Sequence, residues 1–250
     1  MKAQHKISIL FFVMLIALQH SCTKDSFNEC LKGSGQMSKD RRNLYPFKNI
    51  IVFDNINLSL QQGDKYEVII ETGRNLIPAI TTRIVNNTLT IRNESTCPLL
   101  KDPWNPIEIR ITFPEIDSLV IRSQGRVWMP DTIFGNRFYV SVRESSADIQ
   151  LLFDVNFLQV GNMDGTADVT IKGKARDGYF YHAGYGKFDA LDFFTTYTIV
   201  NSNSTNDCYV RGGTILLDAK IMGIGNIYFV GQPENVKKSI VGSGEIIKLD

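Results

Sequence analysis

From Phe47 onward, apolar and polar positions alternate in short runs. No window keeps a 3.6-residue apolar period over a dozen residues, so the pattern predicts strands and no long helix. Ile50-Ile51-Val52-Phe53, Tyr66-Glu67-Val68-Ile69-Ile70, Thr88-Leu89-Thr90-Ile91 and Ile107-Glu108-Ile109-Arg110-Ile111 are β-rich. Gln62-Gly63-Asp64, Asn86-Asn87 and Asp102-Pro103 punctuate them as turns.

In the second half the alternation becomes a repeat. Small or turn-forming residues recur at Gly125, Ala147, Ala167, Gly186, Asn206, Gly225 and Gly244, at spacings of 22, 20, 19, 20, 19 and 19. Two positions before each stands Ser123, Ser145, Gly165, Gly184, Ser204, Gly223 or Gly242, always Ser or Gly. Two positions after stands Val127, Ile149, Val169, Phe188, Cys208, Ile227 or Ile246. Alternating apolar residues after a small anchor describe a strand with one buried face, entered through a corner where a Cβ would clash or φ is positive. A unit of about 20 residues cannot bury such a face alone, so successive units must stack on one core. The expectation is an all-β fold: a right-handed β-helix, or β-solenoid, with rungs of 19–22 residues over 121–250. Residues 45–120 are either irregular first rungs or an N-terminal β capping region, and first rungs with longer turns are expected. Lys248, in a slot that is apolar on earlier rungs, reads as a capping residue.

The N-terminus changes the picture from fold to address. Lys2 and Lys6 precede an apolar run of 12 residues, Ile7 to Leu18, too short for the ~20 residues of a membrane span and fitting a signal peptide over 1–21. Ser21-Cys22 follows as a lipoprotein cleavage site, although Leu18 lies one position further from the cysteine than usual. Lipidation of Cys22 would anchor the chain to the outer membrane, with residues 22–44 as a polar tether. The cell surface is the expected location rather than the periplasm. With Cys22 acylated and Cys208 packed inward as a small hydrophobe, Cys30 and Cys97 remain to form a disulfide in an oxidising compartment. A net charge of +1 gives no basic footprint for nucleic acid.

Candidate chemistry is sparse. Once His5 and His20 leave with the signal, His182 is the one histidine remaining, too few for a His-rich metal site or an independent triad. It reads as a structural or surface residue; no metal, cofactor or catalytic residue is expected. The slot after each anchor places Asp148 beside Asp168, a spacing that could approach a glycosidase carboxylate pair, but Arg126 and Lys187 flank them and favour a solvated charge ladder. One slot further, Tyr209 and Tyr228 should stack on adjacent rungs, and with Trp128 they form the candidate ligand-contact surface. Asp117-Ser118-Leu119 and Asp131-Thr132-Ile133 match an O-glycosylation pattern of exported proteins.

Several segments resemble the auto-transporter adhesin family with the head GIN domain: Phe47-Lys48-Asn49-Ile50, Asn75-Leu76-Ile77-Pro78-Ala79-Ile80, Thr88-Leu89-Thr90-Ile91-Arg92, Gly165 through Gly173, Gly223-Ile224-Gly225-Asn226-Ile227-Tyr228 and Gly242-Ser243-Gly244. The resemblance runs from about residue 45 to the end. It implies a β-helical fold and an envelope location, and it carries over no catalytic residue. Three functions follow in order of expectation: a non-enzymatic surface adhesin or binding module with a glycan or protein ligand, an accessory periplasm-facing envelope lipoprotein, and a carbohydrate-active β-helix enzyme.

Overall fold

A computed structural model describes residues 33–95 and 106–250. Cys22, Cys30, Cys97 and the signal segment lie outside the described residues, as does the Asp102-Pro103 turn.

The strands join in one continuous hydrogen-bonded sheet wound into a β-solenoid of about seven turns. Each rung stacks in parallel on the last, in the register read from the repeat. Val127, Ile149, Val169, Phe188, Cys208, Ile227 and Ile246 pair consecutively, and all are buried. On the neighbouring face Leu119, Val140, Val160, Phe180, Val200 and Ala219 form a second inward column. The strands Asp148–Asn162 and Asp168–His182 span both faces without a break, so their 15 residues carry the sheet around a bend.

The corners explain the repeat. A Cβ on Gly186 would lie 2.1 Å from the carbonyl oxygen of Ala167, and one on Gly225 2.1 Å from that of Asn206. Close approach of successive backbones, rather than positive φ, selects glycine at these anchors. The preceding serines tie the turns together. Ser204 Oγ donates to Gly184 O at 2.6 Å and accepts from Asn206 N at 2.9 Å. Ser145 does the same with Ser123 O and Ala147 N. A serine here supplies both an acceptor for its own corner and a donor to the rung below; a glycine leaves room instead.

The N-terminal region is both rung and cap. Asn49–Asp54 pairs in parallel with Ser118–Ser123, and Asn57–Gln62 with Val127–Trp128, which makes them a true first rung. Against its other side pack Thr88–Asn93 and Glu108–Phe113, also parallel, although they come later in the chain. Antiparallel strands then close the end: Ile80–Val85 on Thr88–Asn93, and Glu67–Gly73 on Glu108–Phe113.

Part of the expected tether is also structured. Met37–Asn43 pairs antiparallel with Glu67–Gly73, held by Lys39–Glu71 at 2.6 Å and Arg41–Glu67 at 3.3 Å. Arg42 reaches across to Ile80 O at 2.8 Å. Complementary charge and backbone pairing order this polar segment, which is why its composition alone read as unstructured.

At the far end Lys248 is exposed, as a capping position requires. Lys238 caps more directly. It stands inward above Ala219, and its amine donates to Ile246 O at 3.0 Å, 5.7 Å from the Phe229 ring centre.

Candidate functional site

The outward slot of the first face forms one register column. Trp128, Gln150, Thr170, Asp189, Tyr209 and Tyr228 follow one another on consecutive rungs. Five steps of about 4.8 Å separate Trp128 from Tyr228, about 24 Å in all. Tyr209 and Tyr228 stack with ring centres 5.1 Å apart and planes 12° apart, so the two tyrosines expected to be neighbours meet face to face. Arg126 lies 5.3 Å over the Trp128 ring, and Lys187 5.7 Å over that of Tyr209. Burial beside its neighbour, with the nearby Asp207, raises the Tyr209 phenol above its ordinary pKa, so it stays a neutral donor.

A groove opens between the two aromatic ends. The strand Val127–Trp128 is two residues long, and Pro130 takes the chain out of the ladder. Met129, Gln150, Leu151, Leu152, Thr170 and Lys172 line the resulting notch of about 330 Å³. Trp128 also borders a smaller hollow of about 130 Å³ with Arg110, Glu71 and Glu108. The column therefore offers aromatic faces, an amide, a hydroxyl and both signs of charge along one shallow track.

Asp148 and Asp168 are paired in register, as the repeat predicts. Their carboxylates are occupied. Asp168 Oδ1 accepts the Lys187 backbone N–H at 2.7 Å, while Asp148 receives Gln150 Nε2 at 3.2 Å and lies 3.7 Å from Arg126 Nε. The same device recurs on later rungs, where Asp207 accepts from Asn226 N at 2.9 Å and Asn226 from Glu245 N at 2.8 Å. This slot is a side-chain ladder that supplements the backbone pairing. Among the described residues, no group of three or more His, Cys, Asp or Glu could hold a metal.

His182 is fully buried, with its ring 5.5 Å from Phe188, and burial lowers its pKa to about 4. The structural alternative holds for it and the surface one does not. Cys208 is a free, fully buried thiol whose pKa burial pushes far up. Of the two candidate glycosylation hydroxyls, Ser118 Oγ is engaged with Asn49 Oδ1 at 2.6 Å.

A second outward face was missed in the sequence reading. Tyr139, Gln159, Tyr179 and Ile199 form a column there, beside another that holds Phe157 and Tyr197. Tyr139 and Phe157 lie 5.7 Å apart. The signal was present, since Tyr139, Tyr179 and Ile199 recur at the rung period, but it falls in the half of each rung farthest from the anchors.

A parallel β-solenoid with closely packed corners, a capped N-terminal end and aromatic outward columns defines a class of repeat protein that displays side chains on extended flanks. Residues 46–233 match the family model described as "Putative auto-transporter adhesin, head GIN domain", and the chain belongs to that family. A putative adhesin of Bacteroides fragilis is similar in structure at 20% identity and a TM-score of 0.74, over 86% of this chain and 97% of that one. A putative lipid binding protein of Parabacteroides distasonis gives 20% identity and 0.68, over 87% and 98%. A putative adhesin of Parabacteroides merdae gives 16% and 0.63, over 87% and 98%. At these identities the likeness is one of fold. No curated protein matches the chain.

Proposed function

We propose that this protein is a non-enzymatic binding module of the cell envelope, exported and anchored to the outer membrane through a lipid on Cys22. Its ligand, a surface glycan in the first instance, lies along the column from Trp128 to Tyr228. The observation that carries this reading is the stacked Tyr209–Tyr228 pair in one register column with Trp128, beside an open groove. Aromatic faces cover the apolar faces of sugar rings, and adjacent amides, hydroxyls and charges satisfy the ring substituents. Family membership and the fold of adhesin-named relatives support a binding role. The engaged carboxylate of Asp168 favours binding over hydrolysis.

The test is a glycan array with the wild type, Trp128→Ala and the double variant Tyr209→Ala with Tyr228→Ala. Loss of a specific glycan signal in both variants, with unchanged thermal unfolding, is the expected result. Binding that survives both changes removes this column from consideration. Protease shaving of intact cells tests the address: release from the surface is expected, and protection until the outer membrane is broken would assign the periplasm-facing accessory role instead.

A further inference from the structure

One inward column departs from its own rule. Val142 and Ile221 continue the apolar pattern, but the three rungs between them carry Asn162, His182 and Ser202, in direct register. All three are fully buried. Asn162 Oδ1, both ring nitrogens of His182 and Ser202 Oγ make no hydrogen bond within the chain. Four such atoms in one place are a large cost to leave unpaired, and buried polar groups in proteins are nearly always satisfied.

Rungs stand about 4.8 Å apart, so side chains in register bond directly only when they lean toward each other, as Ser118 Oγ and Asn49 Oδ1 do at 2.6 Å; Asn162, His182 and Ser202 make no such bond. Two hydrogen bonds of about 2.8 Å meeting at a roughly tetrahedral angle span about 4.6 Å. One small bridging species between successive rungs therefore fits the spacing. The imidazole lies between Asn162 on one rung and Ser202 on the next. Ser202 is smaller than the Val and Ile that fill this column elsewhere. On the other side the Asn162 carboxamide leans toward Gly184, where a Cβ would lie 2.7 Å from Asn162 Oδ1. Asn162 Nδ2 donates to Ala167 O at 3.2 Å, which fixes the amide and leaves Oδ1 as an acceptor without a partner in the chain.

The donor and acceptor inventory selects the species. A neutral imidazole carries one N–H and one bare nitrogen. Asn162 Oδ1 and the bare nitrogen need a donor, whereas the imidazole N–H needs an acceptor. A cation would satisfy the first pair and strand the N–H; an anion would do the reverse. Water serves both roles and is the usual occupant of polar buried sites. We propose that the solenoid core holds two ordered water molecules, one bridging Asn162 Oδ1 to His182 and one bridging His182 to Ser202 Oγ.

A crystal structure of the protein at about 1.5 Å or better decides the matter. Two density peaks within hydrogen-bond distance of these atoms are expected. A dry column, with the side chains bonded directly to one another or turned to other partners, overturns the proposal. Water-oxygen magnetic relaxation dispersion gives a check in solution. The wild type should show two more long-lived waters than a triple variant with Asn162→Val, His182→Ile and Ser202→Val, which restores the apolar column. Equal numbers in a folded triple variant count against the site. Should that variant not fold, Ser202→Val alone should lose one water, and retention of both would be equally damaging.

Discussion

Among the individual side chains, His182 has the clearest measurable consequence. Its folded pKa is lowered to about 4 from an ordinary 6.5, with burial as the cause. The fold thus favours the neutral imidazole. The stability tied to this group is fully present above pH 6.5, falls as the pH drops toward 4 and levels off below that. A displacement of this size corresponds to about 3 kcal/mol. Urea unfolding at pH 7 and at pH 4.5 should therefore show a steeper loss for the wild type than for His182→Leu, which has no proton to bind. Parallel losses in the two proteins would mean that the imidazole is not buried neutral. Neither the burial of His182 nor its polar neighbours were legible in the sequence. Asn162, His182 and Ser202 share a face only after the rungs are stacked, and the anchor-based alignment does not read that far along each rung.

At the scale of the rung, the corner sets the cost of substitution. A methyl added at Gly186 meets the backbone oxygen of Ala167, which cannot move without breaking the ladder. One added at Gly184 meets the side-chain amide of Asn162, which can. Gly186→Ala should cost more than about 2 kcal/mol, at the upper part of the range for overpacked sites. Gly184→Ala should cost less, and Asn162→Ala in the same chain should relieve part of it, a coupling of about 1 kcal/mol in a double-mutant cycle. Additive effects at 184 and 162 would contradict the contact. The Ser-or-Gly rule two residues before each anchor was fully visible in the sequence. Its cause, a hydroxyl shared between a corner and the rung below, was not, because it depends on which backbone carbonyl lies beneath.

Across the whole molecule the two ends differ. The N-terminal end is closed by antiparallel strands, while at the far end the strand Asn235–Ile240 is exposed along its length. Val236, Ile240 and Val241 stand open at that end, with relative exposures of 42%, 52% and 72%. Its ladder edge would invite another strand, and Lys237 and Lys238 are the kind of residue that discourages such pairing. The double variant Lys237→Val with Lys238→Val should self-associate with rising concentration in sedimentation velocity, while the wild type at the same concentrations sediments unchanged. A variant that stays monomeric would show that the edge is protected by something other than charge.

The sequence by itself determined the solenoid, its register and the columns nearest the corners. Each is a local consequence of a 19–22-residue period: once corners recur at that interval, residues at equal offsets must stack. It also placed Tyr209 on Tyr228 and Asp148 beside Asp168 for the same reason. Tertiary structure alone decided the insertion of Asn49–Gln62 between strands that come later in the chain, the recruitment of Met37–Asn43 and the polar column at His182. The first two depend on pairing between segments with no shared period, where partner choice is settled by complementary charge and backbone satisfaction; the third follows the rung period, but that it faces the core is fixed only by the folded winding of the rungs.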